Sequence, residues 1–244
     1  MNARLERISS DGTNMTQKAR ILIVEDETAI RTGLVDIFVY HGYEVDFAEH
    51  GEEGLSKALS GLFDLILLDV MLPGIDGFEI CNRIRAQDRQ QAVIMLTAKS
   101  SDEDIIQGLT LGADDYVSKP FSVTQLVLRV QAVLRRSGIG DSTEREIKLP
   151  NGLLVDTENL SADGEITFTR REMDVLQYLY SQAERPVARE ELLIKVWGYA
   201  SHMDIETRTV DIHIAKLRRK IELDPSKPEC IITVRGAGYR LMPA

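Results

Sequence analysis

From Arg20 onward, the first half of this 244-residue chain alternates short apolar runs with amphipathic stretches five times, and that alternation leaves few folds open. The runs at 20–24 ("RILIV"), 44–48 ("EVDFA"), 64–69 ("DLILLD"), 92–97 ("AVIMLT") and 115–118 ("DYVS") have the length and composition of strands. The stretches at 29–40 (closed by Gly42), 51–60, 77–87, 102–111 and 122–136 read as helices, the last opened by a Ser122/Gln125 capping box. Strands that follow one another through helices pair in parallel, and residues 65–68 are apolar without alternation, as in a strand covered on both faces. The expected fold class is therefore α/β, a doubly wound five-stranded parallel sheet. Right-handed crossovers bring every strand's C-terminal end to one edge, where such sheets bind ligands.

The pattern changes after "SGIGDSTE" (137–144), which has the composition of a linker. Short β runs split by Asn151-Gly152 and Asp163-Gly164 turns predict an antiparallel meander. Thr169 and Glu172 form a capping box for a helix at 170–182, further helices follow at 189–196 and 207–221, and a terminal hairpin turns through Gly236 and Gly238. The expected division is a disordered extension at 1–18, an α/β domain at 19–136, the linker, and a smaller α+β domain at 145–244. Net charge is −10, yet residues 205–241 hold 8 Lys/Arg against 5 Asp/Glu, so local patches rather than the total must decide the partner. Cys81 and Cys230 are too few and too far apart for a disulfide framework or a zinc site, which fits inert thiols in a reducing cytoplasm. No apolar run reaches the roughly 18 residues that span a bilayer, so no membrane partner is expected.

The strand ends carry chemistry. Asp69 closes the third strand, and Glu25 and Asp26 close the first. Carboxylates so close repel unless a cation joins them, and an all-oxygen set with no His or Cys suits Mg²⁺, which bridges readily to phosphate. The fourth strand ends at Thr97, a hydroxyl donor, and the fifth is followed by Lys119, an ammonium that can pair with added negative charge. Asp69 can then attack phosphorus as a nucleophile. Taken singly, an Asp after a strand is a turn residue, a Thr closing a strand is β-propensity, and a Lys before Pro is a solvated charge. Gathered at one sheet edge, they form a phosphoryl site.

On a helical wheel, Val210, Ile214, Leu217 and Ile221 make a core stripe, and Arg208, Ile212, Ala215, Lys216 and Arg219 fall opposite. A cationic face interrupted by small and branched apolar residues suits the major groove of DNA, where Lys and Arg meet phosphates or guanine and methyl groups meet thymine. Arg235, beside the hairpin glycines, suits a minor groove. A solvated surface helix is the ordinary alternative.

Two sets of motifs carry a resemblance. "ILIVEDE", "LILLDVMLPGIDGFEI", "IMLTAK" and "GADDYVSKPF" resemble the receiver domain of bacterial two-component response regulators. "FTRREMDVLQYL", "REELLIKVWG", "RTVDIHIAKLRRKI" and "ITVRGAGYRL" resemble the winged helix-turn-helix output domain of the OmpR/PhoB type. The resemblance implies Asp69 as phosphoacceptor, Glu25 and Asp26 as the acidic pair, the Met71 carbonyl completing the Mg²⁺ shell, and Thr97 with Tyr116 as a switch pair. It implies Ile212 and Lys216 facing bases, Arg208, His213 and Arg219 near phosphates, and Arg235 as the wing arginine. Trp197 is core or loop support, and His213, at the border of the core stripe, has packing as its alternative role. Implied partners are a histidine kinase, promoter DNA with repeated half-sites and a second copy of the chain, with RNA polymerase a further candidate.

In this family, charged residues of the fourth helix, fifth strand and fifth helix pair across a dimer axis. Asp114, Asp115, Arg129 and Arg136 are present, while Ile105 and Gln125 replace an expected basic–acidic pair. Three rival readings each meet a contrary feature of the sequence. An aspartate phosphatase would want a second acid where Met71 stands, a flavin domain would want glycine and hydroxyls where "EDETA" stands, and a constitutive regulator would not need the intact acidic trio, Thr97 and Lys119. The chain is thus expected to be no enzyme beyond its own phosphotransfer and slow dephosphorylation.

Overall fold

The computed structural model describes residues 18–98, 108–134, 145–199 and 207–244. The chain divides into two compact units, the division falling after Val130. Most of the helix expected at 102–111, the extension before Lys18, the linker at 137–144, Ile105 and Arg136 lie outside the described residues.

In the first unit, β1 (Arg20–Val24), β2 (Glu44–Ala48), β3 (Leu65–Asp69), β4 (Ala92–Thr97) and β5 (Asp115–Ser118) form one sheet of order β2-β1-β3-β4-β5. All four pairings are parallel, so the five C-terminal ends share an edge, as the alternating sequence requires. Helices α1 (Thr28–Tyr40), α2 (Gly51–Ala58) and α3 (Gly77–Gln87) follow β1, β2 and β3, and α4 (Val123–Leu134) follows β5. Every residue of β3 is buried, matching its unbroken apolar run. The order reverses between β1 and β3, so the crevice between strand ends lies where Glu25, Asp26 and Asp69 emerge. Asp76 caps α3 by accepting the Glu79 N–H at 2.8 Å, and Ser122 Oγ accepts the Gln125 N–H at 3.4 Å.

One glycine sets how closely the loop after β3 can fold back. Gly77 opens α3 against β3, and a Cβ there would overlap the Asp69 carbonyl oxygen and the Val70 Cα. Gly77→Ala is expected to destabilise the first unit by about 1–3 kcal/mol and to shift Asp69, because backbone must move. Chemical denaturation of the two proteins side by side checks this.

The second unit begins with an antiparallel sheet of β6 (Glu146–Lys148), β7 (Leu154–Asp156), β8 (Ser161–Ala162) and β9 (Ile166–Thr167). Asp163 and Gly164 both take positive φ in the three-residue β8–β9 turn, where Gly and Asp tolerate the left-handed region. Three helices follow, α5 (Arg170–Ser181), α6 (Arg189–Lys195) and α7 (Arg208–Ile221), and then the hairpin β10 (Ile231–Val234) and β11 (Gly238–Leu241). Both halves of the Thr169/Glu172 capping box are formed. Phe168, Leu176, Leu192 and Trp197 pack with Val210, Ile214, Leu217 and Ile221, the stripe the wheel places inward. Both cysteines are buried, and neither is in a disulfide. No helix among the described residues is long and apolar enough to cross a membrane.

Candidate functional site

The edge of the parallel sheet gathers the residues the strand ends deliver. Oxygens of Glu25, Asp26 and Asp69 lie within 4.8 Å of one another, Glu25 and Asp69 buried and Asp26 exposed. Lys119, carried in by the turn after β5, places Nζ 2.7 Å from Asp69 Oδ2 and 2.7 Å from Glu25 Oε2. Burial lifts Glu25 furthest, and with the neighbouring Asp69 pushes its pKa up to about 7 against the pull of Lys119. Burial alone would lower the Lys119 ammonium, but its bonds to Asp69 and Glu25 outweigh that and raise it. Asp69 Oδ1 accepts the Met71 N–H at 3.0 Å. Thr97 is fully buried at the end of β4 and its carbonyl accepts the Lys119 N–H at 2.6 Å, which fixes the lysine's backbone beside the threonine. Tyr116 is buried, 7% exposed.

Two buried arginines brace the first unit, Arg31 at this edge and Arg85 at the opposite one, where β4 and β5 begin. Arg31 is buried in α1 and donates from Nη1 to the carbonyls of Glu25 at 2.9 Å and Asp26 at 3.0 Å, and from Nη2 to Glu49 at 2.9 Å. The sequence does contain its signal: Arg31 occupies the same stripe as buried Leu34 and Phe38, where an apolar residue belongs. Arg85 likewise lies on the buried face of α3, donating to the carbonyls of Gly112 at 2.7 Å and Gln91 at 2.6 Å, and pairing with Asp114 at 3.0 Å.

Asp114 and Asp115, which the resemblance places at a dimer face, have partners within the chain. Asp114 is buried, and its carboxylate accepts the Val93 N–H at 2.9 Å besides pairing with Arg85. Asp115 is fully buried and pairs at 2.8 Å with Arg129 of its own chain. Both carboxylates have cationic partners within one fold, Asp114 just before β5 and Asp115 at its first residue. Gln125 is exposed on α4.

In the second unit the structure divides the cationic face of α7. Arg208 is half-buried, Ala215 and Arg219 are exposed, and Arg235 is exposed at the hairpin turn. Ile212 and Lys216, which the wheel turns outward, are buried at 9% and 7% exposure. For Lys216 the cause is Glu172, a fully buried carboxylate from α5: Lys216 Nζ lies 3.0 Å from its Oε1, and Lys220 Nζ bonds its Oε2 and, at 2.8 Å, the Thr167 carbonyl. Burial works to raise the Glu172 pKa, but the two lysines overcome it and hold the group near 2. His213 is fully buried, its Nδ1 2.9 Å from the Thr209 carbonyl and its ring 5.1 Å from Trp197, so it packs rather than facing solvent. Burial, then the nearby Lys216, push its pKa down to about 4.

Known proteins match both units. The family model of the response regulator receiver domain matches residues 21–131, and that of the transcriptional regulatory protein C terminus matches residues 163–241. The response regulator ArlR of Staphylococcus haemolyticus is 43% identical over 222 residues, covering 90% of this chain and 97% of that protein. A solved structure of DrrB, described as a Thermotoga maritima OmpR/PhoB homolog, covers 93% of this chain and 100% of its own at 31% identity and a TM-score of 0.51.

The chain belongs to the OmpR/PhoB-type response regulators. A RitR mutant aligns over 93% of this regulator at 30% identity with a TM-score of 0.71, and covers 100% of that chain. The sensory transduction protein RegX3 of Mycobacterium bovis is 40% identical over 225 residues, covering 91% of this chain and 98% of the relative. A receiver domain joined to a transcriptional regulatory domain makes this a phosphorylation-controlled, DNA-binding regulator of transcription, not an enzyme acting on external substrates.

Proposed function

We propose that Asp69 is the phosphoacceptor, and that its phosphorylation controls DNA binding by the C-terminal unit. The observation that carries this reading is Lys119 Nζ shared at 2.7 Å between Asp69 and Glu25, beside Asp26, at the ligand-binding edge of the sheet. A carboxylate oxygen of Asp69 forms a bond to phosphorus as the bond from phosphorus to the donor's histidine nitrogen breaks, the electron pair leaving with the nitrogen. Lys119 then pairs with phosphoryl oxygens, the Thr97 hydroxyl donates to another, and Tyr116 completes the switch with Thr97.

The donor set fits Mg²⁺. Three carboxylates in one cluster, two of them buried, offer only oxygen, and the Met71 carbonyl is a further oxygen on the same loop. When bound there the ion supplies charge neutralisation for the transferring group. The donor is a histidine kinase, and the regulator acts in the cytoplasm, where DNA is. Phosphorylation favours pairing of two chains through the face that carries β5 and α4, which sets two output domains on repeated half-sites of a promoter and leaves RNA polymerase as a further partner. Arg208, Arg219 and Arg235, the accessible cations, contact that DNA, with Ala215 at the same surface. Lys216, Ile212 and His213 support the helix from beneath.

The test is phosphotransfer from acetyl phosphate, read by intact mass. One phosphoryl group per chain is expected in Mg²⁺, none after EDTA, and none in Asp69→Asn. A label that persists in Asp69→Asn sinks the assignment.

A further inference from the structure

The cations at the end of α7 have three different destinations. Lys216 and Lys220 turn inward to Glu172, and Arg219 is exposed. Arg218 turns onto the hairpin instead. Its Nε and Nη2 donate to the Ile231 carbonyl at 2.8 and 2.6 Å, and Nη2 also donates to Thr233 Oγ1 at 2.9 Å. Four residues on, Glu222 ends the helix and accepts three successive backbone N–H groups, from Glu229 at 2.9 Å, Cys230 at 3.0 Å and Ile231 at 2.8 Å. Both backbone polar groups of Ile231 are thus taken by side chains from the end of α7.

The first half of α7 has its own tie to the other strand. Asp211 Oδ1 accepts the Tyr239 hydroxyl at 2.6 Å and the Arg189 Nε–H at 2.6 Å, and Arg189 Nη2 donates to the Tyr239 hydroxyl at 3.1 Å. β11 is held elsewhere as well, by the pairing of Val187 with Tyr239 and by Arg240 Nε to the Ala183 carbonyl. Those contacts place the hairpin against the unit. The Arg218–Glu222 set places β10 specifically against α7, and Arg235 follows β10 directly. A two-stranded hairpin is marginal alone, so what fixes it fixes the arginine at its turn.

We infer that Arg218 and Glu222 are positioning residues of DNA recognition: they set the distance between α7 and the hairpin so that Arg219 and Arg235 engage one stretch of DNA as a single rigid reader. This rests on the reading of α7 and the hairpin as the DNA-binding surface. Preorganisation of this kind acts on affinity by removing the ordering cost of the second contact, so it is visible as coupling between residues that do not touch the same group.

The experiment is a double-mutant cycle in the full-length protein, on a DNA fragment selected from random sequence by the wild-type chain. Arg235→Ala alone is expected to weaken binding about tenfold, the scale of one specific contact. In Glu222→Gln, which keeps size and one acceptor, Arg235→Ala is expected to cost less than about twofold, and hydroxyl-radical protection at the hairpin's contact fades while protection by α7 stays. Arg218→Met is the second background and should give the same loss of coupling, with near-ultraviolet circular dichroism confirming a folded C-terminal unit in each. If Arg235→Ala costs the same in every background, the inference is overturned and Arg218 and Glu222 act separately from the hairpin arginine. If neither Arg219→Ala nor Arg235→Ala alters binding, it is the DNA-surface reading that falls.

Discussion

Replacing Glu172 with alanine is expected to destabilise the C-terminal unit by about 3–5 kcal/mol, the range for removing one partner of a buried charge network. Lys216 would be left with its buried ammonium facing the emptied site, Lys220 would keep only the Thr167 carbonyl of its two bonds, and the Thr169 N–H would lose its capping acceptor. Against a domain stability of roughly 5–15 kcal/mol this is a large fraction. The chain has a single tryptophan, Trp197, fully buried in this unit, so its fluorescence in a urea titration reports the C-terminal transition alone. A midpoint equal to wild type would mean the network is decorative.

The same groups predict the acid response. His213 binds its proton near the ordinary 6.5 when unfolded but only near 4 when folded, so its contribution is complete above 6.5 and is lost as pH falls toward 4. Glu172 is held near 2 against 4.5 unfolded, so its contribution is complete above 4.5 and is lost as pH falls toward 2. Stability of the C-terminal unit should therefore decline in two overlapping steps below pH 6.5. Trp197-monitored unfolding across that range, with His213→Gln removing the upper step, checks the order.

Lys119→Met is expected to carry the second large effect, a loss of about 10²–10³-fold in the rate of phosphotransfer from acetyl phosphate, as for removal of one preorganised group facing developing charge. The variant also leaves Glu25 and Asp69 without their shared cation. Following the phosphorylated mass against time gives the rate directly. A rate within a few-fold of wild type would remove Lys119 from the mechanism.

Legibility varied with the kind of interaction. Strand runs, capping boxes and turn glycines are local, and the topology followed from them because parallel crossovers have one hand. The carboxylate edge was legible for the same reason, since Glu25, Asp26, Thr97 and Asp69 each terminate or directly follow an apolar run. What the chain concealed were side chains whose destinations depend on a distant acid or carbonyl. A helical wheel turns Lys216 outward because it knows only its own helix, whereas Glu172, 44 residues earlier, draws it in. Arg31 and Arg85 were hidden in stripes where a buried charge is unfamiliar, and the partners of Asp114 and Asp115 within the chain, Arg85 and Arg129, lie on separate helices.

The most direct test is the affinity of the full-length chain for its selected DNA fragment, measured with and without beryllofluoride and Mg²⁺, for wild type and Asp69→Asn. A rise in affinity on adding the phosphoryl mimic, present in wild type and absent in Asp69→Asn, is the predicted result. Equal affinities in all four samples, or an equal rise in the variant, would contradict control of DNA binding through Asp69.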